Sequence, residues 1–242
     1  MAPILAFNGI SKRFGAIVVA DHINLTLAKG EALGIIGPNG AGKTTLFGIA
    51  TGTITPDRGR VLFDGSDITR LTPEQRCRRG IARSFQVPQP FGGMTVFENL
   101  VVAAAFAGGH SEREVYARCV EVLDQCGLSQ KANRRAGALT LLDRKRLELA
   151  RALATDPRVL LLDEIAGGLT EPECVTLVGL IQGIRIGGVS IIWIEHIVHA
   201  LMKIIDRLVV LHEGRLLADG DPDAVIHSAS VGEIYMGIPA DA

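Results

Sequence analysis

The sequence predicts an α/β fold with a parallel-sheet core, an N-terminal β portion and a helical insertion. Three observations point there. From residue 158 onward, apolar strands and amphipathic helices alternate, the pattern of a parallel sheet with crossover helices. The first 30 residues instead alternate apolar and polar positions, as in "HINLTLAKGE". Between these parts, residues from about 88 to 154 carry helical periodicity.

Taken in order, "ILAFNGI" and "HINLTLAKGE" read as short strands joined by turns. "EALGIIG" is a buried strand that ends in a glycine loop, and "TTLFGIATG" is a helix closed by Gly52. "GRVLFDGSDI" returns as a strand. Thr72-Pro73-Glu74-Gln75 starts a helix, with Thr as cap, Pro at the first helical position and Gln at N3. The basic run Arg76-Cys77-Arg78-Arg79 is expected to solvate one face of that helix. Ser111 and Glu114 form a capping box, behind which Val115, Cys119, Val122 and Cys126 share one helical face. "RVLLLDE", a helix from Glu171, "VSIIWIEH", a helix from 197, "DRLVVLHEG" and "RLLADG" follow, and Asp221-Pro222 starts a last short helix. No Pro/Gly/Ser linker splits the chain. One domain is therefore expected, with residues 1–87 and 155–242 as core and 88–154 as a helical subdomain.

Composition removes several classes of function. A chain of 242 residues is long enough for a sizeable core. With 25 basic and 26 acidic residues, the net charge of −1 leaves no electrostatic footprint for nucleic acid. Four scattered cysteines without a C-x-x-C suggest neither a zinc site nor a disulfide framework, and a reducing compartment is the expectation. The N-terminus lacks the basic start and apolar run of a signal peptide. The longest apolar stretch, Leu100 to Ala107, falls well short of the roughly 18 residues of a membrane span.

The chemistry starts at "GPNGAGKTT", which fits G-x(4)-G-K-[ST] with Gly37, Gly42, Lys43 and Thr44. Glycines let backbone N–H groups turn inward around phosphate oxygens, and the following helix aims its positive end at them. Pro38, Asn39, Gly40, Ala41 and Thr45 complete this loop. Lys43 would reach the β- and γ-phosphates, and the Thr44 hydroxyl would ligate Mg²⁺. A second element, "VLLLDE", is a buried strand closed by two adjacent acids. Asp163 can hold Mg²⁺ through water, and Glu164 can orient or deprotonate an attacking water. A third, "IIWIEH", ends in Glu195-His196, from which His196 could hydrogen-bond the γ-phosphate. His196 and His199 sit three apart, but no further ligand pair supports metal binding, and His199 reads as a helix-surface residue.

Those motifs, with "ARSFQVPQPFGGMTVFENL" and "LTLLDRKRLELARALATDP", come in a fixed order along nearly the whole chain. The set resembles the nucleotide-binding subunit of ATP-binding cassette (ABC) transporters. Within that family it looks most like the ATPase subunits of branched-chain amino acid importers, on "SKRFGAIVVADHINL", "GMTVFENLVVAA", "IEHIVHAL" and the ending "DGDPDAVIHSASVGEIYMG". Lipopolysaccharide-export and urea-import ATPases share much of the pattern. A soluble cassette ATPase of the assembly-factor type is the rival outside transport, and a regulatory module with little hydrolysis is a third reading.

The resemblance implies a P-loop NTPase (RecA-like) parallel-sheet core with an N-terminal antiparallel β portion, binding ATP and Mg²⁺. It implies that Phe14 stacks on adenine, the alternative being a Phe that packs its own turn. It makes Gln86 a Mg²⁺ contact and γ-phosphate sensor, Glu164 the general base and His196 the switch histidine. Two chains would pair head to tail, as a homodimer or a heterodimer, peripheral to the cytoplasmic face of the inner membrane. There they would couple to transmembrane permease subunits. The segment from Gln86 to Leu100, with Phe91, Met94, Val96 and Phe97, would form the groove that grips them; the alternative is that these residues fill the helical subdomain.

Three positions depart from the family pattern. Its signature, usually L-S-G-G-Q, reads here Leu139-Thr140-Leu141-Leu142-Asp143. Thr140 keeps a hydroxyl and Leu142 keeps a backbone N–H for a phosphate on the opposite chain, but the close approach that a residue without Cβ allows is lost. Thr140 and Asp143 can equally serve as a helix cap. Ile165 replaces the usual Pro, and Thr170 stands where an Asp or Asn begins the D-loop; Thr170 and Glu173 also make a capping box.

Overall fold

In the computed structural model, which describes residues 2–108 and 111–236, the chain forms two sheets that share α1 between them. The N-terminal sheet is antiparallel, in the order β2-β1-β4-β5: β1 is Leu5–Phe14, β2 Ile17–Leu27, β4 Arg58–Phe63 and β5 Ser66–Asp67. Its first two strands are 10 and 11 residues long, so the expected short strands are in fact one long hairpin. Register shifts between Phe7 and Arg13 break its alternation, which is why the sequence reads as fragments.

The second sheet runs β10-β9-β3-β8-β7-β6, with β3 at Ala32–Ile36, β6 at Ile81–Arg83, β7 at Val159–Asp163, β8 at Ser190–Ile194, β9 at Arg207–His212 and β10 at Arg215–Gly220. Neighbours from β9 through β6 are parallel, and β10 pairs antiparallel at the edge. Continuous apolar runs fit strands covered on both faces. Leu160, Leu162, Ile191 and Trp193 face one core, while Val159, Leu161, Ile192 and Ile194 face the other. The second core also takes Leu46, Phe47, Ile49 and Ala50 of α1 (Lys43–Thr51), together with Leu5, Phe7, Ile23 and Leu25 of the antiparallel sheet.

The first core is roofed by α3 (Val96–Gly108), α4 (Glu112–Gln125), α5 (Leu141–Ala154) and α6 (Glu171–Ile186). The anticipated capping boxes are formed at Thr72, Ser111 and Thr170. Short helices α7 (Val198–Leu201), α8 (Pro222–Ile226) and α9 (Ala229–Met236) close the chain. The Gly237 end of the quoted terminal motif lies outside the described residues.

Arg76 corrects the expectation of a solvated basic face. Within that run, at the end of α2 (Pro73–Arg78), Arg78 and Arg79 are exposed, but Arg76 is 1% exposed. Its guanidinium donates to Ile49 O and Ala50 O at the end of α1, and to Thr69 O and Leu71 O. The last carbonyls of a helix have no partner within it and carry partial negative charge, so a cation there satisfies both. Burial pulls the Arg76 pKa down to about 10, which leaves it charged at neutral pH. Gly52 makes room for this: at φ +83, a Cβ there would stand 2.8 Å from Arg76 Nε.

Candidate active site

The loop from Gly37 to Gly42 leaves the end of β3 and enters α1, at the edge where the parallel strands end. Gly42 sits at φ +102 beside the β2 backbone, where a Cβ would lie 2.1 Å from Val19 O. No other residue type fits without moving that strand. Asn39, Gly40, Ala41, Gly42, Lys43, Thr44 and Thr45 line a cleft of about 190 Å³, together with Val19 and Glu164. Gly37 and Pro38 stand outside that lining and are tied to it by Lys43, whose Nζ donates to Gly37 O (2.6 Å) and Pro38 O (3.0 Å). An ammonium has three N–H bonds, so one remains for a phosphate oxygen. Burial lowers the Lys43 pKa, and the Glu164 and Asp163 carboxylates oppose that shift.

β7 delivers Asp163, and the next residue leaves the strand in a left-handed turn, with Glu164 at φ +47. Few side chains other than Asn and Asp adopt that conformation freely, so the turn points to a constraint on this residue. Both Glu164 oxygens are held: Gln86 Nε2 donates to Oε2 at 2.6 Å, and His196 Nε2 lies 2.8 Å from Oε1. Three segments far apart in sequence thus meet on one carboxylate at the mouth of the phosphate loop. A carboxylate so oriented can accept a proton from a water placed between it and a phosphate.

Asp163 is buried and ion-paired with Arg83 at the end of β6. The Arg83 guanidinium also lies over the rings of Phe47 and Phe85, at 5.5 and 5.2 Å. Glu195, 1% exposed, accepts from the backbone N–H groups of Ala166 and His196 and so ties the ends of β7 and β8 together. Sequence reasoning missed Arg83. An ionisable residue closing an apolar strand is the signal that singles out Asp163, but β6 has three residues and leaves no run to read.

Phe14 lies at the hairpin tip, half-exposed, with Lys12 Nζ 5.3 Å from its ring, outside the residues lining the cleft. Thr140 and Leu142 open α5, also outside that lining. The Thr140 hydroxyl accepts from Asp143 N (3.3 Å) and contacts Asp143 Oδ2 (3.0 Å), so it caps its own helix. Asp143 is buried against Lys131 and Arg146. Leu141 is exposed and leans on the loop after β7: a Cβ on Gly168 would stand 3.4 Å from Leu141 Cδ2.

Residues 20–167 match the family described as ABC transporter. The high-affinity branched-chain amino acid transport ATP-binding protein BraF of Pseudomonas aeruginosa is 37% identical over 250 aligned positions, covering 97% of this chain and 98% of that protein. LivG of Escherichia coli K12, described in the same words, is 37% identical with the same coverage.

The chain belongs to the ABC transporter ATP-binding cassette family.

The cassette is also similar to a solved ATP-binding cassette of an ABC transporter in its ADP conformation, with TM-score 0.89 and 32% identity, covering 98% of this chain and 100% of that one. A nucleotide-free cassette gives TM-score 0.89 at 31% identity, again over 98% and 100%. The α/β cassette fold expected from the sequence is therefore present, and the chain is an ATPase of this family with nucleotide as its substrate.

Proposed function

We propose that the cassette is the ATP-hydrolysing subunit of a branched-chain amino acid type importer, docked on permease subunits at the cytoplasmic face of a membrane. Full-length similarity to the BraF and LivG subunits supports this transport reading over a soluble assembly factor. None of the described helices is long and apolar enough to cross a membrane, so membrane attachment would come through partners.

Within the site, the loop N–H groups and Lys43 bind and hold the β- and γ-phosphates. Glu164 accepts the proton of a water whose oxygen attacks the γ-phosphorus as the bond to the β–γ bridging oxygen breaks. Gln86 and His196 fix the direction of that carboxylate. Thr44 Oγ1, the Gln86 amide oxygen and Asp163 fit Mg²⁺, a hard cation that takes one or two carboxylates alongside phosphate oxygens and water. The Gln86 Nε2 is spent on Glu164, which leaves its oxygen for such a role. When held there, Mg²⁺ would supply charge neutralisation for the phosphates. Phe14 stacks on adenine. In a head-to-tail pair, Thr140 and Leu142 present the start of α5 to the nucleotide of the opposite chain, Leu142 through its backbone N–H.

The surface we propose for the partner has a different lining from the expected groove. Val96 is buried and Phe97 packs against the core, edge-on to Tyr116 at 5.4 Å, so both fill the helical layer. Around Gln86, Phe85, Val87 and Phe91 are exposed instead. A hollow of about 270 Å³ beside them is lined by Cys77, Arg83, Phe85, Ala103, Glu148 and Arg151 among others. Solubilising native membranes and identifying what co-purifies tests the reading. Recovery of polytopic permease subunits is expected, and a chain found only in the soluble fraction without membrane proteins would overturn it.

Cys77 offers a second check. Its thiol is half-buried, and burial pushes its pKa up, so maleimide should label it slowly at pH 8. Labelling of Cys77 in the complex should fall at least ~5-fold below that of the free cassette, as occlusion of a thiol blocks its thiolate chemistry. Equal rates would place the partner elsewhere.

A further inference from the structure

Three side chains of α5, Lys145, Glu148 and Arg151, recur every three residues and face the segment that carries Gln86. Such spacing stacks them along one side of the helix. Glu148 is 5% exposed. Its carboxylate is faced by the backbone N–H groups of Gln89 and Phe85, which flank Gln86, and it pairs with Arg151 at 3.1 Å. Arg151 donates in turn to Gln89 O (3.0 Å) and lies over the Phe91 ring (5.2 Å). Lys145 Nζ reaches Gln86 O at 3.5 Å. Gln86 itself is exposed, and its own side chain bonds only Glu164 among the hydrogen bonds of the described residues.

We infer that Glu148 is a positioning residue for hydrolysis: from α5 it holds both flanks of the Gln86 turn, and through Gln86 it sets the direction of the Glu164 carboxylate. A buried carboxylate is costly unless bound, and burial does push the Glu148 pKa up against the pull of Arg151 and the two N–H groups. The same face touches the exposed Phe85 and Phe91, so a partner seated there would press on the clamp. The inference rests on Glu164 being the base and Gln86 its contact.

The test uses the full chain with Glu148→Gln, Glu148→Ala, Gln86→Ala and the Gln86→Ala/Glu148→Ala double variant. Steady-state ATP hydrolysis, binding of a fluorescent ATP analogue and peptide-level hydrogen exchange are measured. Glu148→Ala should lower kcat by ~10- to 100-fold, the scale of a misplaced reacting group, while ATP affinity stays within about 2-fold. Glu148→Gln, isosteric and safe for folding, should fall between it and the wild type. Exchange should speed up in the peptide spanning residues 84–91 and stay unchanged across α1. In the Gln86→Ala background, Glu148→Ala should add no further loss. Independent, multiplying losses, equal exchange at 84–91, or a kcat unchanged in both Glu148 variants would each overturn the inference. Failure of the base reading shows separately, as undiminished turnover in Glu164→Gln, which leaves the 84–91 exchange untouched.

Discussion

Replacing Glu164 with Gln lowers ATP turnover by roughly 10²- to 10⁴-fold, the range lost with a general base. That corresponds to about 3–5 kcal/mol of transition-state stabilisation. Nucleotide binding should persist, because the amide keeps the size of the side chain, an oxygen for the Gln86 or His196 contact, and the phosphate loop intact. The expected signature is therefore a fall in kcat with little change in affinity, measured by phosphate release and by equilibrium binding of an ATP analogue. Equal loss of both would mean that the residue shapes the loop and does not handle the proton. Turnover within about 3-fold of the wild type, well short of a general base's share, would remove Glu164 from the reaction. The strained turn at φ +47 argues against such tolerance, since Glu is held there by its neighbours and not by its own preference.

The second large effect is on stability. Arg76→Ala should cost about 3–5 kcal/mol, because it strips four carbonyl acceptors of a charged donor in a site closed to water. Two of those acceptors lie in the last turn of α1, whose other end starts at Lys43. For a chain of this size that loss is a fall of about 10 °C in Tm. Urea unfolding of the wild type and the variant would measure it. Arg76→Lys should recover part of the loss, since an ammonium reaches fewer acceptors. A loss under about 1 kcal/mol would mean that water replaces the guanidinium at the end of α1.

The contrast between Arg76 and its neighbours shows where sequence reading stops. Arg76, Arg78 and Arg79 form one basic run, and local charge patterning treats them alike. Only the packing of α2 across the end of α1 separates the buried one from the exposed pair. Val96 and Phe97 make the same point. Their apolar character was legible, but whether they lined a groove or filled the helical layer depended on how α3 lay against α4 and α5. Phe85 went unnoticed as a surface group because the three residues of β6 before it are too few for a periodicity to show.

The α/β class, the caps at Thr72, Ser111 and Thr170, the phosphate loop and the acids ending β7 were all determined by the sequence alone. Each depends on contacts within about five residues or on a strand–loop–helix order, and such local chemistry is written directly in the residues. Tertiary structure alone decided that Gln86, Glu164 and His196 meet on one carboxylate, that Arg83 takes Asp163, and that Glu148 faces both flanks of Gln86. Those pairings join residues up to about 80 positions apart. No periodicity links them; the first two follow from the parallel sheet, which ends β6, β7 and β8 at the same edge, and the third from α5 lying against the segment after β6.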